Sequence, residues 1–167
     1  MRLYVMRHGP AEENASSGAD GDRALTPAGR ERVGNVADAL LAASEEPLLI
    51  ATSPLVRAVQ TAEIVAIRTN LGRRDGTVRV DRELSPQGDA AKLAHQLAAE
   101  GAKRVMLVGH EPDLSTLVVA LLGAFARPIE KAMVVGIHPV GSGARPKLRF
   151  VLDPKTLKLD TSAHDKR

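Results

Sequence analysis

The chain has 167 residues, of which 44% are hydrophobic and 26% charged, with a net charge of +3 at pH 7; these values are typical of one soluble domain with a buried core. The sequence has no cysteine, so disulfide bonds and thiolate chemistry are excluded and a structural zinc site is not expected. The basic excess could suit nucleic acid, but one tyrosine and two phenylalanines are the only aromatic residues, so we expect no nucleic-acid partner.

The sequence shows neither a targeting segment nor a boundary between domains. The apolar run from Leu3 to Met6 is too short for a signal peptide, and no stretch is long enough to span a bilayer. We therefore expect a cytoplasmic protein without a membrane partner. No repeat or long linker divides the chain, which predicts a single domain over residues 1–160 and a frayed tail over 161–167.

The first part of the chain predicts two strands, each followed by a helix. Thr26-Pro27 and Ser53-Pro54 both supply the N-cap and the first-turn proline that begin a helix. In chain order the elements are a strand at 3–6, a polar loop at 10–23, a helix from 27 to about 43, a strand at 47–52 and a helix from 54 to about 67.

The second part continues this alternation and ends in a hairpin. Asp89 is a predicted N-cap and Gly101 a predicted stop for the third helix. The elements are an edge strand at 78–80, this helix, a buried strand at 104–109, a helix at about 113–122, and hairpin strands at 133–140 and 147–152. The alternation predicts an α/β fold, a three-layer α/β/α sandwich with a mostly parallel central sheet.

Basic groups follow three of the predicted strands at their carboxyl ends, where open α/β sheets bind ligands. Arg7 and His8 follow the first strand, Arg57 lies one turn into the next helix, and His110 follows the strand at 104–109. If these strands are parallel neighbours, the four side chains meet at one edge, and helix N-termini add partial positive charge there. The sequence thus predicts an anion pocket that contains two imidazoles.

Such a pocket suits phosphoryl transfer without a metal or another cofactor. Two guanidiniums can hold the equatorial oxygens of the phosphoryl group through two-point hydrogen bonds. A neutral imidazole can attack phosphorus, and the resulting phosphoramidate can be hydrolysed in a second step. We expect neighbouring cations to lower the pKa of His8, and its other ring nitrogen to donate to a backbone carbonyl.

Four segments in order resemble the landmarks of the histidine phosphatase superfamily, also called phosphoglycerate mutase-like. They are Arg7-His8-Gly9, residues 25–29 (LTPAG), residues 53–62 (SPLVRAVQTA) and residues 108–112 (VGHEP). The chain length and residues 83–89 are most similar to the short phosphohistidine phosphatases of the SixA type. The resemblance spans about residues 1–122 and implies a phosphoglycerate mutase-like fold.

The resemblance also implies a role for each matching residue. His8 would be the phosphorylated nucleophile. Glu83 is our first choice for the general acid that protonates the leaving group, and Asp89 is the second. The substrate-binding groups would be Arg7, Arg57, His110, the backbone of Gly9, and Ser53, which is expected to act mainly as a helix cap.

The remaining titratable residues are predicted to lie outside this site. Glu111 is expected behind the site or at the surface, His95 and His164 in solvent, and His138 in a structural position. The carboxylates of the polar loop are expected to be solvated, with partner choice as their alternative role. They belong to Glu12, Glu13, Asp20 and Asp22.

The leading hypothesis is a phosphohistidine phosphatase that acts on a protein, for example a histidine-phosphotransfer domain of a phosphorelay. Few residues remain for a lid, so the pocket should be open enough for a protein-borne substrate. The first alternative is a phosphatase for small phosphate esters or anhydrides; a mutase is disfavoured because it needs a closed, water-excluding site. The second alternative is a non-catalytic phosphate-sensing or phosphoprotein-binding module, which has no need for a nucleophile.

Overall fold

The computed structural model describes residues 1–161 and contains one seven-stranded β-sheet with four α-helices. The strands are β1 (Arg2–Arg7), β2 (Leu49–Thr52), β3 (Thr77–Val80), β4 (Arg104–Gly109), β5 (Val134–His138), β6 (Lys147–Leu152) and β7 (Leu159–Asp160). The helices are α1 (Pro27–Ala42), α2 (Val56–Arg68), α3 (Ala90–Ala99) and α4 (Asp113–Leu122). Within the described residues, no helix is both long and apolar enough to cross a membrane.

The strand order of the sheet is β3-β2-β4-β1-β5-β6-β7. The first four strands in this order are parallel, whereas β5, β6 and β7 continue the sheet as antiparallel neighbours. Because β6 is antiparallel to β5, it runs in the same direction as the four parallel strands, and the prediction of a mostly parallel sheet is confirmed. The register pairs Arg7 with Gly109 and Thr52 with Val108, so β1, β4 and β2 end side by side.

Two separate hydrophobic cores lie on the two faces of the sheet. Leu3 and Val5 of β1 pack with the apolar residues of α3 and α4, whereas Tyr4 and Met6 pack with those of α1 and α2. This division follows from the pleat of a strand, which sends successive side chains to opposite faces. All four side chains have no exposed surface, which explains why β1 is a continuous apolar run and confirms the three layers.

Two of the predicted helix caps are confirmed by their hydrogen bonds. Thr26 Oγ1 accepts the N–H of Gly29 at 3.0 Å and begins α1. Asp89 Oδ1 accepts the N–H of Lys92 at 2.8 Å and begins α3. Gly101 follows α3 with φ of +80°, a conformation that glycine adopts without the steric cost other residues meet.

The cap predicted at Ser53 is wrong. Helix α2 begins at Val56, and its N-cap residue is Leu55, which makes no side-chain capping bond. Ser53 accepts the N–H of Leu55 at 3.3 Å in the turn before the helix, and its Oγ also lies 2.8 Å from His110 Nε2. The hydroxyl thus belongs to a contact between the residues that directly follow β2 and β4, which local sequence does not reveal.

Several features were not predicted from the sequence, among them two 3-10 turns and the last strand. The loop at 10–23 contains a 3-10 turn at Asp20–Asp22 and is tied to Leu25 by a bridge from Ala11. A second 3-10 turn, Leu71–Arg74, lies between α2 and β3. Strand β7 pairs with Val151 and Leu152. The tail predicted from residue 161 lies, apart from Thr161, outside the described residues.

Candidate active site

The His8 side chain lies in a buried turn directly after β1. Its backbone N–H donates to the carbonyl of Gly109 at 3.2 Å, which joins the ends of β1 and β4. His8 Nδ1 lies 2.7 Å from the carbonyl oxygen of Gly9. Because a carbonyl oxygen can only accept, Nδ1 carries the proton, and the lone pair of the neutral ring is on Nε2.

His110 places a second imidazole next to the first. The two ring centroids are 5.0 Å apart, with an angle of 50° between the ring planes. His110 Nε2 lies 2.8 Å from the hydroxyl of Ser53, which has no exposed surface. The structure therefore brings together two histidines that lie far apart in the sequence, and Ser53 orients the second one.

Both imidazoles are neutral near pH 7 in this environment. The pKa of His8 is lowered to about 3, mainly because the ring is buried. The hydrogen bond to Gly9 opposes this shift, whereas the electrostatic interactions with His110, Arg57 and Arg7 contribute to it. Burial also lowers the pKa of His110 to about 4, with the charge of Arg57 as the next cause and Asp113 opposing it. A neutral His8 keeps its Nε2 lone pair available as a nucleophile.

Arg57, in the first turn of α2, is 4% exposed and is bound by a carboxylate of the polar loop. Its Nη1 donates to the backbone carbonyl of Asp20 at 2.8 Å, and its Nη2 donates to Asp20 Oδ2 at 3.0 Å. Arg23 Nη2 lies 2.7 Å from the other carboxylate oxygen of Asp20. The Arg57 hydrogen bond lowers the pKa of Asp20, which therefore remains charged.

Arg7, the last residue of β1, is half-buried at the same edge of the sheet. Its Nη1 donates to the carbonyl of Ile129 at 3.0 Å, and its own carbonyl accepts the N–H of Ala132 at 3.0 Å. The charge of Arg7 contributes to the lowered pKa values of both His8 and His110. The segment before β5 thus holds this guanidinium close to the two imidazoles.

The backbone of Gly9 is engaged within the protein rather than free. Its N–H donates to Thr61 Oγ1 at 3.0 Å, and its carbonyl is the acceptor for His8. A Cβ at this position would lie 2.6 Å from Val33 Cγ2, so only glycine fits the close approach of the turn to α1. These contacts give the Gly9 backbone a role in positioning His8, and its role in substrate binding stays a prediction.

Thr61 was missed by the sequence reasoning, although it belongs to a quoted landmark. It lies one helical turn after Arg57, has no exposed surface, and donates its hydroxyl to the Arg57 carbonyl at 2.7 Å while accepting Gly9 N–H. One hydroxyl thus connects the helix that carries Arg57 with the turn that carries His8. Its spacing of four from Arg57 was the available signal.

The two candidates for the general acid have different surroundings. Asp89 is exposed, and its carboxylate caps α3. Glu83 is half-buried in the 3-10 turn Arg82–Leu84 after β3. The carbonyl of Leu84 lies 3.5 Å from where a Cβ on Gly109 would be, so this turn packs next to the residue that precedes His110. This position favours Glu83 over Asp89.

The other histidines lie away from this edge. His138 is exposed at the end of β5, beside Ile137, which pairs with Leu3 near the opposite end of β1. His95 is exposed on α3, and His164 lies outside the described residues. Among residues 1–161 there is no group of three or more histidine, aspartate or glutamate side chains that could hold a metal ion.

The comparisons with known proteins point to the family that the four sequence landmarks resemble. Residues 3–86 match the model of the histidine phosphatase superfamily (branch 1). The phosphohistidine phosphatase SixA of Escherichia coli (strain K12) is 28% identical over 95% of this chain and 98% of its own length. A glucosyl-3-phosphoglycerate phosphatase of Mycolicibacterium vanbaalenii is 30% identical over 81% of this chain and 79% of its own length.

A solved structure of a SixA protein has a similar fold. The protein histidine phosphatase SixA complexed with tungstate superposes with a TM-score of 0.84 and 28% identity, over 95% of this chain and 100% of that one. The fold is thus the phosphoglycerate mutase-like fold that the resemblance implied. The chain belongs to the histidine phosphatase superfamily, branch 1, and is a metal-independent phosphatase, a hydrolase that acts on phosphoryl groups.

Proposed function

We propose that this enzyme is a phosphohistidine phosphatase in which His8 transiently carries the phosphoryl group. The observation behind the proposal is the state of the His8 ring. Its Nδ1 donates to the carbonyl oxygen of Gly9, 2.7 Å away, and the pKa of the ring is lowered to about 3. The ring therefore offers a neutral, fixed Nε2 lone pair next to His110, 5.0 Å away between ring centroids.

In the first step, the Nε2 lone pair of His8 attacks phosphorus and the bond from phosphorus to the leaving nitrogen breaks. Arg7, Arg57 and His110 hold the phosphoryl oxygens as negative charge moves onto them. The leaving imidazole of the substrate takes up a proton, for which Glu83 is our proposed donor. The products of this step are the dephosphorylated substrate and a phosphoramidate on His8.

In the second step, water attacks the phosphorus of the phosphoramidate. The bond between phosphorus and His8 Nε2 breaks, its electron pair returns to the ring, and inorganic phosphate leaves. The same acidic group that donated a proton in the first step can accept one from the attacking water. The Gly9 carbonyl keeps Nδ1 protonated throughout, so the ring returns to its starting tautomer.

We infer further that the phosphoryl donor is a protein, such as a histidine-phosphotransfer domain. The E. coli relative is named a phosphohistidine phosphatase, and the alignment covers 98% of its length and 95% of this chain, so the two chains match over nearly their whole extents. We retain the cytoplasmic location and the domain boundary near residue 160 as parts of this proposal.

A comparison of substrates tests the proposal. We expect a phosphohistidine-bearing protein and phosphoramidate to be hydrolysed with a higher kcat/KM than a sugar phosphate or a nucleotide, and His8→Ala to abolish all four activities. Full activity of His8→Ala would rule out the nucleophile. A preference for phosphate esters over both phosphoramidates would reject phosphohistidine as the substrate.

A second candidate function is the hydrolysis of a small phosphate ester. It is favoured by the relative from M. vanbaalenii, which is named a glucosyl-3-phosphoglycerate phosphatase and is 30% identical. The same substrate comparison decides between the two, because an ester phosphatase must protonate an alkoxide leaving group and would turn over the sugar phosphate fastest.

A further inference from the structure

The guanidinium of Arg57 is already occupied by an anion of the protein itself. Arg57 is 4% exposed, and its Nε is buried without a hydrogen-bond partner among the described residues. The two terminal nitrogens are the remaining donors of the guanidinium, and Asp20 binds both of them, at 2.8 Å through its carbonyl and at 3.0 Å through its carboxylate. The group proposed to hold the phosphoryl oxygens thus holds a carboxylate in the free protein.

Asp20 differs from a buried structural carboxylate in its exposure. Its side chain is 64% exposed, and the 3-10 turn Asp20–Asp22 that carries it contains no buried residue. Arg23 already binds its other oxygen at 2.7 Å. Because water and Arg23 can both bind the carboxylate, its separation from Arg57 requires little free energy.

A phosphoryl group presents Arg57 with the same kind of acceptor, several negatively charged oxygens in the geometry that a guanidinium fork binds. Two anions held on the same pair of terminal nitrogens would repel each other in a buried pocket. The contact between Asp20 and Arg57 and the contact between a phosphoryl group and Arg57 therefore compete.

We propose that Asp20 is an internal substitute for the phosphoryl group on Arg57 and is displaced when the substrate binds. The inference rests on the proposed function, which assigns Arg57 to the phosphoryl group. It makes Asp20 a residue that sets the affinity of the site, because only the fraction of molecules with Arg57 released is competent to bind. The same competition weakens the hold on the inorganic phosphate product and helps its release.

The opposite role for this carboxylate is to stay on Arg57 and position it while the phosphoryl group binds. The two roles differ in the sign of one effect. If Asp20 competes, its removal strengthens the binding of phosphate; if Asp20 positions Arg57, its removal weakens that binding.

Titration calorimetry with inorganic phosphate and with orthovanadate measures this sign without any need for turnover. We expect Asp20→Asn and Asp20→Ala to bind both anions about fivefold more tightly than the unmodified protein, the size expected for a partly exposed charge pair. Asp22→Asn is the matched control: it removes the same charge from the same turn, but the Asp22 carboxylate accepts the Ser17 hydroxyl at 2.7 Å. We expect Asp22→Asn to bind phosphate as the unmodified protein does.

Two results would overturn this inference without affecting the proposed function. One is unchanged or weaker binding by both Asp20 variants, and the other is a crystal structure with vanadate in which Asp20 Oδ2 stays within hydrogen-bond distance of Arg57 Nη2. The expected structure shows this pair separated. A different result would reject the proposed function itself, namely phosphate binding that is unaffected by Arg57→Ala.

Discussion

At the scale of single residues, the site depends on two imidazoles that remain uncharged among cations. His8 and His110 are 6% and 5% exposed, and burial lowers the pKa of both, to about 3 and about 4. The cost of this arrangement appears as pH-dependent stability, because an unfolded chain protonates the same two side chains near pH 6.5.

The stability of the protein should fall as the pH is lowered below about 6.5. Between that pH and the folded-state pKa of about 3 for His8, the unfolded state binds a proton that the native state does not, so the free energy of unfolding rises with pH. The unmodified protein loses unfolding free energy between pH 7 and pH 4.5. We expect this loss to be smaller by about 2 to 3 kcal/mol in His8→Gln, because each unit of pKa difference corresponds to about 1.4 kcal/mol.

Chemical denaturation at pH 7.0, 5.5 and 4.5 measures this difference. His95→Gln is the control, because it makes the same substitution at a histidine that is exposed on α3 and lies outside the site. If the free energy of unfolding changed with pH by the same amount in His8→Gln and in the unmodified protein, this would contradict a neutral, buried His8.

At the scale of elements, the site is assembled where β1, β2 and β4 end side by side and the turns after them are joined by buried hydroxyls. Thr61 connects α2 with the turn after β1, and Ser53 connects the turn after β2 with His110. Both hydroxyls have no exposed surface, so neither bond has water as a substitute.

Thr61→Val should lower both stability and activity. Valine keeps the shape of the side chain but leaves the Gly9 N–H buried without its 3.0 Å acceptor, which costs about 1 to 3 kcal/mol. The turn that carries His8 then loses its anchor to α2, and kcat should fall more than KM rises.

Thr69→Val provides a matched comparison for this prediction. Thr69 is buried at the end of the same helix and donates to Val65 O at 2.8 Å, as Thr61 does to Arg57 O. Unlike Thr61, it has no hydrogen bond to the turn after β1 that carries His8 and Gly9. Kinetic constants and denaturation midpoints of the two variants would be compared. A similar loss of activity in both would show that Thr61 has no particular link to His8.

The elements themselves were largely predictable, because each depends on local pattern. Thr26-Pro27 and Asp89 identify helix starts through caps, and β1 and β4 are apolar runs that both faces of the sheet bury. Ser53 shows the limit of this reasoning. The same cap-plus-proline pattern occurs there, but the hydroxyl contacts His110, 57 residues away, and only the folded sheet reveals that contact.

The site shows the same limit. Arg7, His8, Arg57 and His110 are predictable because each lies at or just beyond the carboxyl end of a strand, and parallel strands end at one edge of the sheet. The partner of Arg57 is not predictable from the sequence, because the path of residues 10–23 decides which of the four loop carboxylates reaches this guanidinium. Asp20 is the one that does.

At the scale of the whole molecule, the sheet order places β1 between β4 and β5, with the nucleophile near the centre of the sheet. Helices α1 and α2 cover one face and α3 and α4 the other. At the carboxyl edge of the parallel strands, we propose that the two guanidiniums take the role that a divalent cation has in many phosphate enzymes.

Prolonged treatment with a chelator should therefore leave kcat/KM unchanged, whereas orthovanadate should inhibit, because its trigonal-bipyramidal adduct resembles the transition state. Assays before and after dialysis against EDTA measure the first effect, and added Mg²⁺, Mn²⁺ or Zn²⁺ is the control. Loss of activity with the chelator, restored by one of these ions, would show that the two guanidiniums do not suffice.

The most direct test of the account is to look for the phosphoryl group on His8 during turnover. Rapid quenching under alkaline conditions, followed by peptide mass spectrometry, should find an acid-labile, base-stable adduct of one phosphoryl group on the peptide that contains His8. The adduct should be absent from His8→Ala. An active enzyme that carries no such adduct, or carries it on another residue, would contradict the central claim.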